Sequence, residues 1–439
     1  MHHHTRLLTL AALTLSALQP FSPSALSSSA PFDLASCERA RTLRLADAAL
    51  AATPKTITAV RNPRGAGGPH DFSSEGDYWW PDPETPSAPY IQRDGETNPA
   101  NFVAHRQLLM EFSRNVSALA AAFKLTGDQR YADAALAHLR AWFIDPATRM
   151  NPSLLYSQAI QGRFTGRGIG IIDTLHLCEV AMSILALRET GSGLAFCCQP
   201  ASATGAAAPH SAIRIPHSAI DAATDAALTA WFRDYLHWMR THPYGIDESN
   251  AANNHGTCWT LQAACYALVT QDAETLALCR DRLTKIHIPN QMAPDGSFPQ
   301  ELRRTKPYGY SIFNLDVMAA LAQVLSTKDT NYLTWRVSPT DDRSLIKAIA
   351  YLYPYLADKT QWPHKHDVMY WDNWPVRQPA LLFGALATNN ADWLALWKTL
   401  DPDPTVEEVQ RNYPIRHPIL WFRDPQPVGA SLATPCSIQ

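Results

Sequence analysis

Cysteine is scarce in this chain. Eight cysteines in 439 residues are too few to staple a fold of this length, which excludes a disulfide scaffold. Their spacing fits no zinc-binding pattern. Cys178, Cys258, Cys265 and Cys279 lie in apolar helical surroundings and read as small buried hydrophobes. Cys197 and Cys198 are adjacent in a loop, and Cys37 and Cys436, near the two ends, are candidates for a disulfide. A large charge of one sign is also missing. The net charge of −3 excludes a broad nucleic-acid surface. A polyanionic partner stays open, because a cleft focuses the field of a few clustered cations. No segment beyond the N-terminus has about eighteen uninterrupted apolar residues, so no membrane span is expected. Strand-like alternation is scarce as well.

What remains is mostly helical. The chain starts Met1-His2-His3-His4-Thr5-Arg6, followed by an apolar run from Leu7 to Leu18 and then small residues, with Ala25 and Ala30 as cleavage points. That order predicts a secretory signal over 1–30 and an exported mature protein over 31–439. With 46% hydrophobic residues the mature chain can bury a large core. Periodic apolar stripes run through Glu38–Ala51, Asn101–Leu125, Arg130–Phe143, Ile171–Arg188, Ala219–Thr241, Thr257–Val269, Ala273–His287, Ser311–Ser326, Ser344–Leu356 and Ala380–Thr399. About ten helices in hairpins predict an all-α, incomplete (α/α) toroid forming a single catalytic domain. Two segments break the pattern. Residues 75–96 hold Tyr78-Trp79-Trp80-Pro81-Asp82-Pro83, where proline forbids regular helix, and they read as an irregular aromatic, lid-like loop. Residues 190–219 form a low-complexity insertion with a duplicated Pro-His-Ser-Ala-Ile.

Two short segments carry the chemistry. Asn253-Asn254-His255 precedes an apolar helix, and Glu301-Leu302-Arg303-Arg304 is followed by Tyr308-Gly309-Tyr310. An amide, an imidazole, a guanidinium and a phenol are what proton abstraction beside a carboxylate requires. The first three neutralise the carboxylate as negative charge builds, and the phenol moves the proton. Lowering a phenol from about 10 to about 8 takes roughly 2.7 kcal/mol, within reach of one close cation. Arg304 is the expected source, six residues before Tyr310. A hydrolase would instead need two placed carboxylates, for which Asp77, Asp94 and Glu301 are the candidates. Gly162-Arg163-Phe164-Thr165-Gly166-Arg167-Gly168 offers two arginines for a carboxylate and has neither P-loop nor dinucleotide spacing. His364-Lys365-His366-Asp367 lacks partners of metal-site spacing.

The chain resembles the alginate-lyase-domain polysaccharide lyases. The matching residues are Asp77 to Pro83, Tyr90 to Gly95, Met150-Asn151-Pro152, Gly166 to Thr174, Asn253-Asn254-His255 and Glu301 to Arg304. The Tyr-Trp-Trp-Pro-Asp-Pro and Gly-Arg-Gly-Ile-Gly motifs look most like the branch with glucuronan lyases and broad alginate lyases. The resemblance implies an incomplete (α/α) toroid, no cofactor and no metal. Its catalytic group maps to Asn254, His255, Arg304 and Tyr310, with Tyr308 as runner-up for the tyrosine. Asn253, Tyr78, Trp79, Trp80, Arg93, Gln158, Arg163, Arg167, Arg303 and Tyr308 are the expected substrate-binding residues. The expectation is an exported lyase that cleaves a β-1,4-linked polyuronate, glucuronan or mannuronate-type alginate, by β-elimination. Its partner would be that anionic polysaccharide, with no nucleic acid and no membrane. A glycoside hydrolase on a similar toroid, or a non-catalytic glycan binder using Trp79 and Trp80, is the alternative.

Overall fold

A computed structural model describes residues 32–189 and 218–422. The expected signal at 1–30, nearly all of the 190–219 insertion, and the Cys37–Cys436 pairing lie outside the described residues.

Local chemistry sets the helix ends. Asp33, Asp128, Asp221, Asn253, Asp272, Ser344 and Asn390 each cap a helix by accepting a first-turn backbone amide. Pro243, Pro299, Pro307 and Pro379 open four more, where a missing N–H costs nothing. Gly127, at φ 70°, ends Ala104–Thr126 in the left-handed region.

The helices form two layers. Ala104–Thr126, Leu177–Arg188, Asn254–Thr270, Pro307–Leu325 and Pro379–Thr388 pack in succession and are buried on most sides. Such all-round burial is why these segments carry little polar face. Outside them lie Leu34–Leu50, Gln129–Phe143, Ala222–Thr241, Ala273–Arg282, Leu345–Ala357 and Ala391–Thr399, each packed on an inner helix or its hairpin partner. This is the expected (α/α) toroid. Its core is rich in aromatics: Phe112 stacks on Trp142 at 4.6 Å, and Phe143 meets Trp231 at 4.3 Å. Among the described residues no single helix is long and apolar enough to cross a membrane.

Three expected elements differ. Ile171–Arg188 is a 3₁₀ segment, Gly168–Thr174, followed by a helix from Leu177. Gly170 packs so closely that a Cβ there would meet Ser157 Oγ at 2.0 Å. Ala380–Thr399 is two helices, because Asn389 adopts φ 59° and Asn390 caps the second. The aromatic loop is not wholly irregular: Trp79–Trp80 pairs antiparallel with Ile91–Gln92. A second short ladder runs parallel between Ser73–Glu75 and Tyr156–Ala159, and together these anchor the aromatic segment over the helix ends.

Candidate active site

The donors predicted from sequence gather where two inner helices begin. Asn254 is the first residue of Asn254–Thr270, and Tyr310 lies in the first turn of Pro307–Leu325. A helix start carries partial positive charge, which favours an anion. Asp367, from a distant segment, caps the second helix by accepting from Tyr308 N at 2.8 Å and Gly309 N at 2.9 Å. The His364–Asp367 tract is thus structural, with His364 on the Tyr351 hydroxyl at 3.0 Å and His366 stacked on Trp371 at 3.9 Å.

Each donor is held by a carboxylate. Glu301, fully buried, accepts from both the backbone N and Nδ2 of Asn254 at 2.8 Å. One Nδ2 hydrogen remains for a ligand. Glu248 lies 2.7 Å from Nδ1 of His255. With the proton on that nitrogen, Nε2 of the neutral ring is the acceptor. Asp94 receives the Arg304 fork, from Nη2 at 2.8 Å and Nε at 3.3 Å. Burial opposes ionisation of Asp94, but the Arg304 bond holds its carboxyl below the usual range. Burial also opposes the Arg304 charge, and the Asp94 bond outweighs it. Asn253 spends its side-chain oxygen capping the helix at His255 N, 3.3 Å.

Tyr310 lies between two cations. Arg304 Cζ is 4.4 Å from its ring centroid and Lys306 Nζ is 5.3 Å away. Its hydroxyl donates to the Tyr78 hydroxyl at 2.8 Å. Arg304 is thus the close cation weighed for this phenol, but it does not bring it below its ordinary value. Burial pushes Tyr310 well above its ordinary value, with Tyr78 adding to it, and the two cations only partly offset this. Tyr308, the runner-up and an expected substrate contact, is fully buried. Its hydroxyl donates to the Tyr355 carbonyl at 2.9 Å and its ring packs on Trp362 and Trp371. It is a core residue, two residues and about 200° around the helix from Tyr310. Arg303 is exposed and bonds the Pro299 carbonyl at 3.2 Å, turned from the cluster.

The aromatic segment enters through Tyr78, which also accepts from Lys306 Nζ at 2.9 Å. Trp79 is half-buried beneath two guanidiniums, Arg163 at 5.5 Å and Arg167 at 5.8 Å. Arg93 lies 5.1 Å from Trp80, whose Nε1 donates to the Glu96 carbonyl at 3.0 Å. Burial pushes Arg167 down to about 10. Gln158 is buried at φ 54°, bonds Asp173 at 3.0 Å and receives Arg167 on its carbonyl at 2.8 Å. It therefore holds Arg167 rather than facing the cleft.

Sequence reasoning passed over Lys306, Glu408, Arg411 and Glu248. Lys306 pairs with Glu408, Arg411 pairs with Glu408 at 3.4 Å and Asp77 at 2.9 Å, and Asp77 takes the Arg106 fork at 2.6 and 2.9 Å. Lys306, two residues past Arg304, was visible as a third cation. Glu408 and Arg411 pair with each other three residues apart, but had no signal of a site, since Lys306, Tyr78 and Asp77 lie roughly 100 to 330 residues away. The three carboxylates proposed for hydrolysis are all committed. Asp77 is forked by arginines that hold it far below the carboxylate range despite burial, Asp94 serves Arg304 and Glu301 serves Asn254. None is a free acid facing a second carboxylate across a cleft.

A family model described as alginate lyase matches residues 56–362. Among solved structures, an alginate lyase from Bacteroides ovatus is 28% identical with a TM-score of 0.69, covering 89% of this chain and 94% of its own. Alginate lyase A1-III from Sphingomonas species A1 is 16% identical with a TM-score of 0.50, covering 88% and 94%. A variant of that enzyme complexed with a tetrasaccharide is 15% identical with a TM-score of 0.52 and the same coverage. The two Sphingomonas structures share the fold. No curated protein matches the chain.

Proposed function

The chain belongs to the alginate lyase family and is a polysaccharide lyase, and from that premise we propose that it cleaves a β-1,4-linked polyuronate by β-elimination through Asn254, His255, Arg304 and Tyr310. The observation that supports this most is the backing of each donor by its own carboxylate. Glu301, Glu248 and Asp94 fix an amide, an imidazole and a guanidinium, the last of them 4.4 Å from the Tyr310 ring centroid. Preorganised donors of this kind stabilise charge that develops in the transition state, here on the carboxylate attached to C5.

The Tyr310 phenolate takes H5, and the C5–H electrons become the C4–C5 double bond. The C4–O4 bond breaks, and O4 receives the proton from Tyr310, which restores the phenolate. Mannuronate and glucuronate differ only at C2, so H5 and O4 lie on one side and one tyrosine serves both. In guluronate C5 is inverted, and His255 Nε2 would take H5 while Tyr310 protonates O4. We favour glucuronan or mannuronate-type alginate. The Bacteroides relative, an alginate lyase, supports an anionic polysaccharide as the partner. Trp79 and Trp80, with Arg93, Arg163 and Arg167, supply stacking surface and positive charge for successive uronates. The signal-like N-terminus supports export to the periplasm or medium. A polyuronate panel tests the reading: the product should absorb in the ultraviolet through its conjugated double bond, whereas reducing ends without absorbance would mean hydrolysis.

A further inference from the structure

The predicted donor set leaves unexplained how a phenol buried as deeply as Tyr310 comes to lose its proton. We propose that Lys306, acting through the Tyr78 hydroxyl, is the positioning residue that makes the Tyr310 phenolate attainable, and that Glu408 sets the strength of its effect. The proposal rests on the reading of Tyr310 as the proton-moving group.

The geometry is a branched hydrogen-bond network. Tyr78 accepts from Tyr310 at 2.8 Å and from Lys306 Nζ at 2.9 Å, and donates to Glu408 Oε1 at 3.3 Å. Lys306 Nζ also lies 4.9 Å from the Tyr78 ring centroid and 5.3 Å from the Tyr370 ring centroid. Lys306 and Glu408 form a buried ion pair. Such a pair contributes little net stability, so stability alone does not account for an ammonium at this spot.

Once Tyr310 releases its proton to solvent, the Tyr78 hydroxyl can rotate from Glu408 to donate to the phenolate. Lys306 keeps its bond to the Tyr78 oxygen and strengthens that donation. Arg304 also faces the phenol, but it is forked by Asp94 and, in the proposed complex, shared with the substrate carboxylate. Lys306 lies behind Tyr78, so its charge is not drawn off by substrate. The other charged or titratable groups around the phenol are Glu408, which opposes the phenolate, Arg411 and Asp77 behind it, and Asp367 and Tyr370. The last two line a cavity of about 10 Å³ with Tyr310, Lys306 and Glu408. Burial opposes the Lys306 charge, yet Glu408 holds it above its ordinary value, so the ammonium is present throughout the working range.

The test is the pH dependence of kcat/KM in the full chain, with a tyrosinate difference titration against Tyr310→Phe. Activity should rise with pH as the phenolate forms. Lys306→Met removes a cation and should move that rise to higher pH by about one unit or more, a roughly tenfold loss below it. Tyr78→Phe should move it the same way. Lys306→Arg keeps a cation at this spot and should leave the rise near its wild-type pH. A purely structural role would lower activity without moving the rise. If Lys306→Met does not fold, Lys306→Gln, polar but uncharged, decides by the same shift. An unmoved rise in the uncharged variant, or a shift to lower pH, overturns the proposal. Tyr310→Phe separates the two readings. If it retains turnover, the catalytic assignment falls; if it is inactive and the other rises do not move, only the Lys306 inference falls.

Discussion

At the scale of single residues, the two tyrosines of Tyr308-Gly309-Tyr310 make opposite predictions. Tyr310→Phe keeps the packing but removes the proposed proton carrier, so turnover should fall by about 10²-fold or more with KM little changed. Tyr308→Phe should keep near-normal kcat and lose stability, about 1–3 kcal/mol by urea titration, because the Tyr355 carbonyl is left unpaired in the core. The reverse pattern would place catalysis on Tyr308. His255→Ala should cost more on guluronate-rich substrate than on mannuronan or glucuronan, since only the inverted sugar would use its Nε2 as base. Equal losses on all three would give His255 a role in carboxylate binding alone. The sequence showed Asn254, His255, Arg304 and Tyr310 because they are clustered in short motifs. It hid Glu248 and Glu408, whose importance comes from what they touch. It also misjudged the Tyr310 phenol: spacing located the nearest cation but carried no information on depth of burial, and burial is the larger effect.

At the scale of elements, the aromatic segment is tied to the helix ends at both its arms. Tyr78 meets Tyr310 and Lys306 on one side, and Asp94 meets Arg304 and Thr305 on the other. The segment therefore also holds two of the four proposed catalytic groups, Tyr310 and Arg304. Trp79→Ala removes the face under Arg163 and Arg167 and should raise KM several-fold. It should lower kcat as well if substrate closes the segment onto the site. Steady-state kinetics on defined oligouronates check this, and unchanged values of both would remove Trp79 from the binding surface. The helices were legible from their 3.6-residue periodicity. Their breaks were less so, because Asn389 and the 3₁₀ segment Gly168–Thr174 interrupt apolar runs that read as continuous. The Trp79–Trp80 pairing with Ile91–Gln92 was hidden by the prolines between them.

At the scale of the whole molecule, buried ionisable groups tie stability to pH. Burial pushes His176 and His287 down to about 3, so each is neutral in the folded protein. The unfolded chain binds a proton at these residues near pH 6.5. The folded state should therefore lose stability as pH falls below about 6.5, progressively toward pH 3. Asp77, held low by Arg106 and Arg411, stabilises above its unfolded value near 3.9 and adds its loss below it. Melting temperatures in a pH series should decline from about pH 6.5 downward, and a flat profile from pH 7 to 4 would show that these histidines titrate alike folded and unfolded. The toroid itself was legible as a count of helical hairpins; its inner and outer layers were legible only in part, as all-apolar against one-faced stripes. In the proposed reaction one site performs β-elimination through Tyr310. Its most direct test is product absorbance in the ultraviolet from purified wild-type and Tyr310→Phe protein on mannuronan and glucuronan. Absorbance should rise with wild type on at least one polymer and be reduced at least about a hundredfold in the variant; reducing ends without absorbance, or an undiminished Tyr310→Phe, would rule the reaction out.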